Sequence, residues 1–254
     1  MLNLLRMELR RFVGNKIAPL LLLLFAGFQL FGIFMMSQYQ TSMETGGLSF
    51  AAMTESEFIQ YMLAQPPTWM LLYLAVFTVY FYMSEFNSGF YKNYIGMRHA
   101  RIHSVLVKII VQALFTLLLF AVMLLVDLGG RQLFFGQAAL GDLGGLLKLL
   151  LGQLLLHIAF SVLMLCVAML ARNTLLSLAV GIVLALNVPG MLLAVLEDAL
   201  GSLRLARYLL VNTIVSVKDL GDIGDLLHLF GVAAVYLLLF GLLAVRYKMK
   251  EDLR

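Results

Sequence analysis

Residues 84–104 read SEFNSGFYKNYIGMRHARIHS, and this stretch decides how the rest of the chain is understood. It is too polar to cross a membrane and too long for a turn, yet a long apolar run flanks it on each side. Phe86, Phe90, Tyr94 and Ile95 recur at roughly helical spacing, while Glu85 is followed by Lys92, Arg98 and Arg101. This pattern predicts a short amphipathic helix lying against a membrane surface and offering a face to something beyond it. A basic loop that merely orients the protein would account for the three cations. It would not account for the aromatic spacing, nor for an acid at position 85, which gains nothing from a positive-inside bias.

Working outward, 62% hydrophobic and 13% charged residues across 254 positions, with a mean hydropathy of +0.96, describe an integral membrane protein. The net charge of +4 sits beside the apolar runs, so it points to the membrane surface and not to nucleic acid. One cysteine, Cys166, allows no disulfide within the chain, and the four histidines at 99, 103, 157 and 228 form no metal motif. No G-x-x-x-x-G-K-[ST], H-E-x-x-H or G-x-S-x-G occurs, and no span holds a pair of glutamates. The chain is therefore expected to have no catalytic or metal-binding residues and no phosphate-binding loop of its own.

The expected fold is all-α with six spans at about 17–36, 68–83, 105–126, 146–170, 174–195 and 226–245, forming a single transmembrane domain. Residues 1–16 place Leu2, Leu5, Leu9, Phe12 and Val13 on one helical face, flanked by Arg6 and Arg10, as in an interfacial helix. Thr54 to Glu57 reads as a capping box opening a short helix that Pro66-Pro67 would end. Trp69 is an interfacial anchor, and Lys108 is expected to snorkel back to the headgroups. Asp127 to Gly145 reads as a glycine-rich outer connection. Ala171-Arg172-Asn173 alone joins the fourth and fifth spans into an antiparallel hairpin, and Asn187-Val188-Pro189-Gly190 should kink the fifth. Leu203, Ala206, Leu210, Ile214 and Val217 mark the apolar stripe of an external helix before the sixth span.

Under this alternation the N-terminal segment, residues 84–108, Arg172 and the C-terminal tail carry thirteen Lys/Arg against four acids; the opposite loops carry five against ten. Both termini are therefore expected in the cytoplasm. In the fourth span Gln153, His157 and Ser161 share one helix face. They are taken to hydrogen-bond between packed helices, the alternative being a wet or substrate-lined surface.

Glu85-x-x-x-Gly89, Arg98-x-x-Arg101 and Lys108, set in this architecture, resemble a permease subunit of the ABC-2 type of ATP-binding-cassette transporter, of the kind serving bacterial peptide export and self-immunity to antimicrobial peptides. The resemblance implies a bacterial plasma-membrane protein that pairs with a second permease, as homodimer or heterodimer, on cytoplasmic ATPase subunits that hold the ATP and Mg. It also implies that residues 84–104 form the coupling helix, with Glu85, Phe86, Gly89, Tyr91, Lys92, Arg98 and Arg101 at the ATPase contact. Gln29, Tyr73, Phe77 and Asn187 are the implied pathway residues. Two other readings stand beside it: an accessory or immunity membrane protein that binds a ligand at its external helices, and an intramembrane enzyme using His157 or His228.

Overall fold

A computed structural model describes residues 2–39, 50–63, 69–90, 98–201, 204–217, 220 and 222–250. Regular structure among them is entirely helical: α1 (Leu2–Val13), α2 (Ile17–Gln38), α3 (Glu55–Leu63), α4 (Trp69–Asn87), α5 (Arg98–Phe134), α6 (Leu143–Ala171), α7 (Thr174–Ala185), α8 (Val188–Leu200), α9 (Leu210–Ser216) and α10 (Ile223–Lys250), with a 3₁₀ turn at Ala206–Tyr208. Among the described residues α2, α4, α5, α6 and α10 are long and apolar enough to cross a membrane. The pair α7 and α8 meets the same test together, bent by 49°. The chain is an all-α protein of the multi-pass membrane class.

Burial ranks the helices. Helices α4 and α6 bury most of their apolar surface, whereas α2 and α10 leave most of theirs exposed, as helices facing hydrocarbon do. Helix α6 packs most extensively on α10, α2 lies along α5, and α4 packs against both α6 and α7. The centre is aromatic. Phe77 stacks on Phe115 with centroids 3.8 Å apart, and Phe12 from α1 meets the edge of Phe77 at 5.8 Å.

Local chemistry explains most boundaries. Thr54 and Glu57 exchange hydrogen bonds reciprocally, Thr54 N to Glu57 Oε2 at 2.8 Å and Glu57 N to Thr54 Oγ1 at 3.3 Å, the capping box expected ahead of α3. Hydrogen bonding to Thr54, its backbone N–H first and its side chain second, holds the Glu57 carboxyl below its ordinary range. The α6–α7 hairpin is tight because Arg172 closes α6 in the left-handed region, φ 48°, and Asn173 immediately caps α7 by accepting from Leu176 N at 3.0 Å. The kink expected near Pro189 falls at Asn187, φ 57°, with the proline in the first turn of α8.

Three expectations need correction. Helix α5 runs through 98–134, well beyond 105–126, and the outer connection shrinks to 135–142. Gly129 and Gly130 looked like loop residues, but a Cβ at Gly130 would lie 2.8 Å from Ile33 Cδ1, so that glycine admits α2 against α5. The external stripe is not one helix. Ala206, Leu210, Ile214 and Val217 are buried as expected, but extended backbone at Leu209 (ψ 138°) separates the 3₁₀ turn from α9; Leu203 lies outside the described residues. In α1, Phe12 is buried but Leu2 and Val13 are exposed. The docked edge is Glu8 and Phe12, one turn apart.

Candidate functional site

The described ends of the 84–104 stretch belong to the two long helices on either side, and residues 91–97 lie outside the described residues. Residues 84–87 complete α4, a turn follows at 88–90, and Arg98 already begins α5. Gly89 adopts φ +68°, a conformation that side-chain-bearing residues avoid and that stops α4 here. Tyr91, Lys92 and the side chain of Arg98 lie outside the described residues.

At the base of this stretch four charged side chains meet. Glu85, one turn from the end of α4, is 3% exposed. Lys108 of α5 donates to Glu8 Oε1 at 2.6 Å and reaches Glu85 Oε2 at 2.7 Å. Arg11 of α1 pairs with Glu8 at 2.8 Å and with Glu85, and its guanidinium also donates to the Phe81 carbonyl. The same guanidinium lies 4.0 Å from the Phe81 ring centroid. Two acids and two bases from three helices thus form a neutral knot that only Arg11 shows partly to solvent. Burial nonetheless dominates at Glu8 and pushes its carboxyl above the ordinary range, against the pull of Lys108.

Lys108 was expected to snorkel, and here the structure disagrees. Its side chain is 4% exposed and points inward. The physical reason is that α5 starts at Arg98, so Lys108 sits nearly three turns into the helix, where two buried carboxylates compete successfully with headgroup water. Removing one member of such a knot strands the others and typically costs about 3–5 kcal/mol.

Around the knot the remaining residues bind neighbouring segments. Arg101 Nη1 donates to the Met249 carbonyl at 3.0 Å, tying α5 to the end of α10. Arg172 lies over both Phe86 and Tyr247, at 5.6 and 5.4 Å, and so ties the α6–α7 hairpin to α4 and α10. Phe86 itself stacks on Tyr82, centroids 6.3 Å apart.

The chain matches no protein-family model and no curated protein.

The implied pathway residues are not gathered into one lining. Gln29 donates to Asp127 Oδ1 at 2.8 Å, Tyr73 meets the edge of Phe25 at 5.3 Å, and Phe77 is fully buried against Phe115. Asn187 bonds to Asn212 at the α7–α8 break. Gln153 donates to the Ile214 and Val217 carbonyls at 2.9 and 3.2 Å, His157 Nδ1 to Gln153 O at 2.7 Å, and Ser161 to His157 O at 3.1 Å. That geometry is inter-segment and intrahelical hydrogen bonding in a buried setting. Among the described residues no cluster of three or more His, Cys, Asp or Glu is placed to hold a metal.

Glu8 and Arg11 were missed by sequence reasoning. Their signal was an acid and a base three residues apart on a short amphipathic helix, which reads as an ordinary surface pair. Only Glu85, an acid without a local reason, hinted that partners lay elsewhere.

Proposed function

We propose that this chain is the membrane-spanning permease subunit of an ATP-driven exporter of the ABC-2 type, moving a hydrophobic or amphipathic peptide or drug-like substrate. ATP and Mg belong to separate cytoplasmic ATPase subunits, and a second permease completes the pathway. In this reading six helices, the bent pair counted as one, cross a bacterial plasma membrane with both termini in the cytoplasm.

The observation that carries the proposal is the Glu8–Arg11–Glu85–Lys108 knot. A force applied to the connection between α4 and α5 meets a joint that clamps both helices and α1 together, so the three move as one body. A loop that only set orientation would need no such clamp. Two further features support the reading. The start of α5 is tied to the end of α10 through Arg101 and Met249, and the ends gathered there belong to the segments richest in Lys and Arg. Glu85 contributes by holding the joint, with its carboxylate turned inward, while Arg101 stands at the junction with the C-terminal segment.

The test is affinity purification of the tagged chain in mild detergent from its native cell, with the co-purifying proteins identified and ATPase activity assayed. A stoichiometric ATPase is expected. Arg101→Glu should leave membrane insertion intact and abolish transport coupled to ATP hydrolysis. A chain that purifies alone, without ATPase activity, or an Arg101→Glu variant that transports normally, would refute the proposal.

A further inference from the structure

At the other end of the molecule the 3₁₀ turn leans on α10 and leaves a cleft between them. The cleft has a volume of about 320 Å³ and is lined by Tyr208, Leu227, His228, Gly231, Val232 and Val235, with Tyr236 at its far end. Two hydrogen bonds hold its walls apart at a fixed spacing. His228 Nε2 donates to the Arg207 carbonyl at 3.1 Å, and the Tyr236 hydroxyl accepts from Leu210 N at 3.4 Å.

The cleft is amphipathic along its length. Leu227, Gly231 and Val235 recur every four residues, forming an apolar track parallel to the axis of α10, and Leu227 and Val235 are 69% and 59% exposed. Tyr208 and His228 make one wall polar and aromatic, and Arg207 stands beside that wall. The Arg207 guanidinium lies 5.0 Å from the Tyr208 ring centroid, and Tyr208 and His228 rings stand 5.2 Å apart. Arg207 makes no ion pair among the described residues. The track opens on α10, one of the spans that expose most of their apolar surface, and the molecules adjoining such a surface are lipids.

We propose that this cleft holds one phospholipid, with an acyl chain along Leu227, Gly231 and Val235 and its phosphodiester at Arg207. A guanidinium suits a phosphodiester by charge and hydrogen-bond geometry, and the missing side chain at Gly231 leaves room for the chain to lie against the helix backbone. Asp222 and Asp225, exposed at the start of α10, disfavour a headgroup of high net negative charge. The phosphodiester is therefore the recognised group, whatever the headgroup beyond it. This assignment is independent of the transport reading.

The experiment is native mass spectrometry of the delipidated full chain in detergent, titrated with phosphatidylglycerol, phosphatidylethanolamine or diacylglycerol of identical acyl chains. One phospholipid should survive activation that strips the rest, with diacylglycerol retained far less. A Cβ at Gly231 meets nothing within 4 Å, and the same holds for Gly241 on the same helix. Gly231→Leu therefore fills the track without strain and Gly241→Leu is its control. Gly231→Leu should weaken retention about tenfold, the equivalent of roughly two excluded methylenes, while Gly241→Leu leaves it unchanged. Arg207→Ala should erase the preference for phospholipid over diacylglycerol. Equal retention in Gly231→Leu and the parent, or equal retention of diacylglycerol, would overturn the proposal.

Discussion

Both ends of the helical bundle set an arginine beside a buried glutamate, and the two solutions differ. At the α1–α4–α5 junction, two acids and two bases balance, and the Lys108 contacts are 2.6 and 2.7 Å. At the opposite end Arg131 of α5 is fully buried, but its Nε stands 3.9 Å from Glu55 Oε2 and neither atom has a hydrogen-bond partner among the described residues. Arg131 is held instead by backbone carbonyls, those of Met53 and Gly136, and a turn away Asp127 Oδ2 also lacks a partner among the described residues. One end is a closed electrostatic joint. The other is a looser assembly in which an arginine organises loop backbone, and the contrast teaches that burial of charge alone does not measure how firmly helices are locked.

The largest expected effect is at the closed joint. Lys108→Met leaves two buried carboxylates sharing one base, Arg11, and should lower stability by about 3–5 kcal/mol, read as thermal or denaturant unfolding of the detergent-solubilised protein. Adding Glu85→Gln should recover part of that loss, because the remaining Glu8 keeps Arg11. No recovery in the double variant would break the description of the knot as one unit.

A smaller loss is expected from Arg131→Met. It removes donors from two carbonyls but only a distant partner from Glu55, so about 1–3 kcal/mol is anticipated. A loss equal to that of Lys108→Met would erase the distinction between the two ends.

The smallest effects are in pH dependence, where the ends should slope in opposite directions. Glu8 has its carboxyl raised by burial, so the folded state holds its proton at a pH where the unfolded chain has lost it. Stability from this group therefore falls as pH rises from the ordinary glutamate value through the raised one. Glu57 has its carboxyl lowered by the capping bonds from Thr54. Its contribution is present above the ordinary value and is lost as pH falls through the lowered one. Unfolding midpoints across the acid range should steepen one way in Glu8→Gln and the other way in Glu57→Gln relative to the parent. Identical profiles for both variants would show that neither carboxyl is perturbed as described.

How much of this was legible in the sequence depends on how local the cause was. The capping box at Thr54, the tight hairpin at Arg172-Asn173 and the break at Asn187 are set by neighbouring residues, and all three could be read directly. Helix α5 was misjudged because Gly129-Gly130 beside Asp127 and Arg131 mimics a loop. The glycine is explained only by Ile33, nearly a hundred positions away, pressing on it. Lys108 was misread for the same reason. Snorkelling is the local prediction for a lysine near a span end, and its partners Glu8 and Glu85 come from two other helices. For residues 84–104 the sequence pointed to the right place through Glu85, and the described ends of the stretch belong to α4 and α5; residues 91–97 lie outside the described residues.

The unbroken length of α5 has a mechanical consequence. Thirty-seven residues make a rod of about 55 Å, with Lys108 near one end and Arg131 near the other, about 35 Å apart along the axis. Any tilt imposed at the clamped end is multiplied by that arm. A rotation of about 5° there would sweep the far end through about 3 Å, by the same helical rise. That is comparable to the length of a hydrogen bond, and enough to part Arg131 from the carbonyls it organises.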